Sequence, residues 1–252
     1  MFEIFILSII QGVTEFLPVS SSSHLILVSE YFKFDNQSLS IDVSLHIGSF
    51  IAVIFFFKNE IFSFLKNRDL FFKIFVSSIP VMIAGYILVK YDLIEHLRNV
   101  KIIGWTTVIF GFLLYFSDKF EKSNNIKENF NYKSAIVIGL FQVLSLIPGV
   151  SRSGISITAA RFLNFDRVDS VKISFLLSIP TLAAVSFFGI SSLLSSGDLE
   201  FSLLNIFSIF FSFIFSLITI KFFLHFAKRF SLNIFVFYRV ILGSIVLLIA
   251  YL

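Results

Sequence analysis

Two apolar stretches of this chain, Met1–Phe34 and Ser134–Phe162, break midway, at LPVSSSSH and IPGVSRSG. Those breaks limit the fold more than any other feature. Crossing a hydrocarbon core about 30 Å thick takes roughly 20 apolar residues of helix, and each half-stretch is too short to do so alone. Each stretch is therefore expected to enter the membrane as a pair of half-helices and turn back. Non-helical backbone at that depth is tolerated only inside protein or beside a water-filled cavity. Six other apolar runs are unbroken: Ile41–Phe57, Ile74–Val89, Ile102–Phe116, Val171–Ile190, Phe201–Phe226 and Leu232–Leu252. Composition agrees with a membrane setting. Only 14% of residues are charged, against about a quarter in soluble domains, and the mean hydropathy is +0.93. The expectation is an all-α integral membrane protein: six transmembrane helices plus two re-entrant helical hairpins, forming one membrane domain over residues 1–252.

Loop charges orient this layout. Of the 20 Lys and Arg residues, fourteen fall on one side: Lys58, Lys66, Arg68, Lys73, Lys119, Lys122, Lys127, Lys133, Arg161, Arg167, Lys172, Lys221, Lys228 and Arg229. Four fall on the other, Lys33, Lys90, Arg98 and Lys101, and the loop Ser191–Glu200 carries no Lys or Arg. The positive-inside rule then places both termini outside, with the first broken hairpin entering from outside and the second from the cytoplasm. Arg152 and Arg239 remain, both at membrane depth. The two breaks also resemble each other: IIQGVTEFLPVSSSSH and LFQVLSLIPGVSRSG each hold a Gln, an apolar stretch, a Pro and a Ser-rich turn. SSIPVMIAG at Ser77–Gly85 and LSIPTLAAV at Leu177–Val185 form a weaker echo. Three spans in each of residues 1–120 and 131–252 read as an inverted-topology repeat, an architecture that sets its site near the midplane.

Under that layout the two tips meet. The first brings Gln11, Glu15, Ser20, Ser21, Ser22, Ser23 and His24; the second brings Gly149, Ser151, Arg152, Ser153 and Gly154. Arg152 offers a planar fork of donors suited to phosphate oxygens. The glycines permit unusual dihedrals and close backbone approach. Serine hydroxyls and the first amides of the following half-helices suit an anion. Glu15 and His24 can move protons near neutral pH, and a serine beside them can act as nucleophile. Blander readings exist for each: a buried Glu15–Arg152 ion pair, a capping His24, and serines that only pack helices, which is the preferred reading of Ser23 and Ser29. Pro18 and Pro148 read as helix breakers. Asp42 and His46 open the first span as either a secondary polar contact or plain interfacial residues, the latter being the preferred reading, while His96 and His225 read as structural. Arg239 either reaches the same cavity or pairs with an acid.

Other chemistries are excluded or weakened. Without Cys there are no disulfides, thiolate nucleophiles or cysteine metal sites. No G-x-S-x-G elbow occurs, which argues against a serine hydrolase. No HxxxH pair or Asp-rich motif marks a dedicated metal cage; a divalent ion, Mg2+ or Ca2+, would be held mainly through substrate phosphates, with Glu15 as its one candidate protein ligand. No organic cofactor is expected, and a formal charge of +4 gives little reason to expect nucleic acid. The 37 Phe residues read as lipid-facing bulk together with a base-composition bias, not as a cofactor box. The start, MFEIFILSII, lacks the basic n-region of a cleaved signal peptide.

QGVTEFLPVSSSSHL followed by PGVSRSG resembles the undecaprenyl-diphosphate phosphatases of the bacitracin-resistance type, and the resemblance continues through HIGSFIAV and IKFFLHFAKRFSLNIFVFYR over nearly the whole chain. It implies a bacterial inner-membrane enzyme that hydrolyses undecaprenyl diphosphate to the monophosphate and phosphate, recycling the lipid carrier of peptidoglycan synthesis, with its site facing the periplasm or exterior. Its nucleophile candidate falls on Ser21, its histidine on His24 and its phosphate-binding arginine on Arg152. Gln11, Ser20, Ser22, Gly149, Ser151 and Ser153 are expected around the substrate. In the family's (Glu/Gln)-x-x-x-Glu motif the first position here is Gln11, so no role needing two carboxylates carries over. Ser23 stands where many relatives have Gly. Ser21 either attacks the terminal phosphorus or positions a water, and either Glu15 or His24 is the base. Partners are the polyprenyl diphosphate lipid and the membrane, and a homodimer is compatible with both. The rival reading is a transporter or flippase of polyprenyl phosphate or a small anion, since broken helices in inverted repeats also build carriers.

Overall fold

The computed structural model describes residues 1–32, 34, 38–64, 68–91, 93, 97–120, 124–196 and 202–252. Lys33, Lys66, His96, Lys122 and Phe201 fall outside the described residues, as do residues 197–200 and the side chain of Ser29. The described part is helical, with one isolated parallel bridge between Asn124 and Phe165. Six helices are long and apolar enough to cross a membrane: α3 (Leu39–Phe56), α5 (Arg68–Lys90), α6 (Val100–Asp118), α10 (Arg167–Ser196), α11 (Leu203–Arg229) and α12 (Asn233–Tyr251). The protein is therefore a multi-pass membrane protein. Each expected run lies on one of these helices, with ends shifted by polar caps that hydropathy does not register: Ser38 Oγ accepts from Ile41 N, and Asn99 Oδ1 accepts from Lys101 N at 2.8 Å.

The broken stretches form shorter helices: α1 (Phe2–Thr14) and α2 (Ser21–Phe32), then α8 (Tyr132–Val143) and α9 (Arg152–Phe162). At 1.5 Å per residue, a helix of 13 residues reaches about 20 Å, well short of a bilayer core. Two brief helices, α4 (Lys58–Phe64) and α7 (Ile126–Asn129), lie in connections.

Small and hydroxylated residues set the helix spacing, as is usual where lipid gives no hydrophobic drive for association. A Cβ at Gly139 would lie 2.1 Å from Ser77 O, so α8 rests directly on the α5 backbone. Between α3 and α11, Ser49 Oγ lies 3.2 Å from Ser212 Oγ and 3.0 Å from Ser216 Oγ, and Asn205 Nδ2 donates to Ser40 and Ser44. Phe residues serve two purposes. Phe2, Phe62, Phe187 and Phe237 are exposed, whereas Phe16, Phe57, Phe175 and Phe223 fill the core, Phe16 meeting Phe175 edge-on with centroids 5.3 Å apart. Lipid-facing bulk thus accounts for only part of the Phe excess. At one end of the bundle, Asp118 accepts from Arg167 at 2.8 and 2.9 Å, from the fully buried Arg161 at 3.1 Å and from Leu232 N at 3.1 Å. That carboxylate joins α6, α9, α10 and the start of α12.

The SIP echoes occupy unlike places. Ser77–Gly85 lies in α5, the second of the six long helices, and Leu177–Val185 lies in α10, the fourth.

Candidate active site

The two breaks adopt related backbones. α1 stops at Glu15, where Pro18 precludes further helix, and α2 begins after Ser20, whose φ is +81°. In the second break a turn at Leu144–Leu146 leads to extended Ile147 (φ −84°, ψ 122°), as Pro148 requires of its neighbour. Gly149 follows at φ +94° and Ser151 at φ +72°, and α9 begins at Arg152. A left-handed serine therefore precedes the second half-helix in each turn. Such conformations cost about 1–3 kcal/mol each and persist where surrounding structure imposes them.

The tips meet at Glu15. Arg152 Nη2 donates to Glu15 Oε1 at 2.7 Å, while Arg152 Nη1 donates to Ser174 O at 3.2 Å. Ser21 Oγ donates to the other oxygen, Oε2, at 2.7 Å, and Gln11 Nε2 reaches the same oxygen at 3.1 Å. Ser153 Oγ donates to Leu17 O at 2.6 Å, a second bond between the tips. Glu15 is 7% exposed. Arg152 Nε–H and the backbone N–H groups of Ser21 to Ser23 and of Ser151 to Ser153 have no acceptor among the described residues. Two helix N-termini with free amides and an arginine fork thus converge on one carboxylate and one serine, a donor set for an anion.

The remaining expected residues take varied places. Ser20 Oγ lies 3.3 Å from Ser22 Oγ and 3.0 Å from Ser23 Oγ. Ser151 Oγ caps α9 by accepting from Gly154 N at 3.1 Å and lies 3.1 Å from Ser153 Oγ. Gly149 has the unusual dihedral, but the close approach it permits is to α6: a Cβ there would lie 2.0 Å from Thr106 Oγ1, which itself donates to Pro148 O at 2.6 Å. His24 makes no bond to Glu15 or Ser21. Its Nδ1 donates to Ser20 O at 2.6 Å, since a carbonyl can only accept, leaving Nε2 to accept from Tyr238 Oη at 2.5 Å.

Two residues belong here that sequence reasoning missed or left open. His46 is not merely interfacial: its Nδ1 lies 2.9 Å from Gln11 Nε2 and 3.9 Å from Glu15 Oε2. Its helical phase was the available signal, because His46 shares a face of α3 with the fully buried Ser49 and Val53. Arg239 is fully buried and pairs with no acid among the described residues. It donates instead to Pro18 O at 3.2 Å, Val150 O at 3.0 Å, Gly149 O at 2.8 Å and Thr107 O at 3.2 Å, binding both turns to α6.

Comparison with known proteins adds names to this geometry. Residues 4–245 match the family described as "Bacitracin resistance protein BacA". The undecaprenyl-diphosphatase of Pelagibacter ubique (strain HTCC1062) is 49% identical over 250 residues, covering 99% of this chain and 97% of the relative. Those of Jannaschia sp. (strain CCS1) and Alteromonas mediterranea are 36% and 40% identical, covering 100% and 98% of this chain and 99% and 97% of the relatives. With a match over nearly its whole length, and close relatives matched end to end, the chain belongs to the bacitracin resistance protein BacA family.

Proposed function

We propose that this chain is an undecaprenyl-diphosphatase, hydrolysing undecaprenyl diphosphate to undecaprenyl phosphate and inorganic phosphate in the bacterial inner membrane. The observation that carries the site assignment is the single carboxylate of Glu15, with Arg152 on one oxygen and the Ser21 hydroxyl on the other. In this reading the diphosphate lies against the free amides of both half-helices and the unused donors of Arg152, which stabilise charge spread over the transferred phosphoryl group. Ser21 Oγ either attacks the terminal phosphorus, breaking its bond to the bridging oxygen, or positions the water that does so. Glu15 Oε2 stands 2.7 Å from Ser21 Oγ, within reach of the proton released. Undecaprenyl phosphate leaves with the bridging oxygen, and water completes the phosphate product. His24, held between Ser20 and Tyr238, serves the later proton transfers.

Mg2+ or Ca2+ is proposed to arrive with the substrate. Among the described residues no three of His, Cys, Asp and Glu gather into a metal site. Both Glu15 oxygens already have partners. That donor set suits an ion coordinated chiefly by phosphate oxygens and water, where it would shield phosphate charge.

The architecture is proposed to be two inverted halves, residues 1–120 and 131–252, each opening with a re-entrant hairpin, and the site opening toward the exterior. Three features support this. The loop charges have the required asymmetry. Ser20 and Ser151 share a left-handed backbone before the second half-helix. The packing is reciprocal, with α1 on α11 as α8 is on α5, and α3 with α10 as α6 is with α12.

Phosphate release from farnesyl diphosphate by purified protein in detergent, with and without chelator, tests the reading. Release by wild type that Glu15→Gln abolishes is expected. Wild type that releases no phosphate yet moves polyprenyl phosphate across vesicles would make the protein a carrier.

A further inference from the structure

We infer that His46 is a positioning residue for the proposed phosphatase site, fixing the Gln11 carboxamide so that Glu15 Oε2 faces Ser21. The inference rests on the reading above and adds a residue from α3 to it.

The hydrogen-bond directions follow from one fixed point. Glu15 Oε2 accepts from the Ser21 hydroxyl, and Oε1 accepts from Arg152. A carboxylate so placed only accepts. The Gln11 carboxamide atom 3.1 Å from Oε2 must therefore be the NH2 group, because the flipped amide would set oxygen against oxygen at that distance in a buried site. That same nitrogen lies 2.9 Å from His46 Nδ1. Its second N–H thus points at Nδ1, which must present a lone pair, and the ring proton resides on Nε2. The chain of bonds runs from His46 through Gln11 to Glu15, with Ser21 closing it.

What His46 contributes is orientation. Gln11 Oε1 is buried and has no partner among the described residues, so nothing on that side resists rotation of the amide. Nδ1 of His46 is the second of the two acceptors that hold it among the described residues. Without that acceptor the carboxamide keeps one bond and turns, and Oε2 loses its aligned second donor just where it must receive the Ser21 proton. Such misalignment affects the chemical step more than substrate capture, and displacements near 1 Å can cost roughly 100-fold. His24, both of whose nitrogens are engaged by Ser20 and Tyr238, cannot substitute.

Four variants test this in detergent: His46→Ala, His46→Asn, Gln11→Ala and the double variant Gln11→Ala/His46→Ala. Asn sets Oδ1 close to where Nδ1 stood and so retains the acceptor. His46→Ala should lower kcat by roughly 10- to 100-fold with KM within about twofold, and His46→Asn should recover most of it. The double variant should be no slower than Gln11→Ala, because two members of one chain do not contribute independently. If the two single losses multiply, or if a folded Asn variant is as slow as Ala, the inference is overturned. Should Ala fail to fold, the Asn variant decides alone. Nitrogen-15 NMR of labelled histidine, assigned with His46→Asn, gives a readout independent of turnover: a bare Nδ1 is expected and a protonated Nδ1 refutes. Inactive wild type would count against the phosphatase reading, whereas active wild type with unaffected variants would count against His46 alone.

Discussion

Replacing Arg239 offers the most severe test of how the two tips are held together. The guanidinium donates to three turn carbonyls, those of Pro18, Gly149 and Val150, and to Thr107 O on α6. Hydrogen bonds from a charged donor contribute about 1.5–3 kcal/mol each, so four give roughly 6–12 kcal/mol gross. Burying the cation costs several kcal/mol. Arg239→Met removes both terms and leaves the turn carbonyls without a donor, for a net loss of about 3 kcal/mol. In a chain of this length that corresponds to a fall of about 6–12 °C in Tm, measured at one scan rate because unfolding in detergent is seldom reversible. Activity should fall further than stability, by about 100-fold or more, since the turns carry Glu15 and Ser21 on one side and Arg152 on the other. Arg239→Lys should insert but regain little, because one ammonium cannot reach carbonyls spread across two turns and α6. Melting and phosphate release by purified Arg239→Met that match wild type would refute this account.

Three other outcomes follow from the geometry. Gly149→Ala should destabilise by about 3 kcal/mol or more, from the positive φ and a Cβ 2.0 Å from Thr106 Oγ1, read as a lowered Tm with release lost. Tyr238→Phe removes the donor to His24 Nε2; kcat should fall about 2- to 10-fold, in line with one hydrogen bond of about 0.5–1.5 kcal/mol, and Tm by only about 1–6 °C. Asp118→Asn should cost about 3–5 kcal/mol by leaving buried Arg161 without its anion, while the surviving folded protein keeps wild-type kcat because the cluster shares no residue with the site.

Where the sequence was legible, the physics was local and strong. Six apolar runs and two proline-bearing breaks gave the helices, because burying a charge or an open backbone in lipid is so costly that hydropathy decides. Glu15 and Arg152 stood out for the same reason: charged residues at membrane depth demand partners. What the sequence left undecided depended on partners without a sequence signature. Arg239 is satisfied by main-chain carbonyls, which every residue possesses. His46 contacts Gln11 across 35 positions, and at the start of a span it looks like any interfacial histidine. The SIP echo carries little weight for the converse reason, since a short Ser-Ile-Pro run suits any membrane helix, and here it falls on the second and fourth of the six long helices.

The pairing of Glu15 with Arg152 spans 137 positions. At the usual pace of synthesis the ribosome needs on the order of ten seconds to supply that length. Throughout that interval the nascent first hairpin holds an acid whose counter-ion has not yet been made. The early tip must linger near water until its mate threads in, so the newborn protein cannot cleave lipid before Arg152 and the second tip have been made. Residues 1–120 expressed alone should insert poorly, and coexpression with residues 131–252 should rescue them.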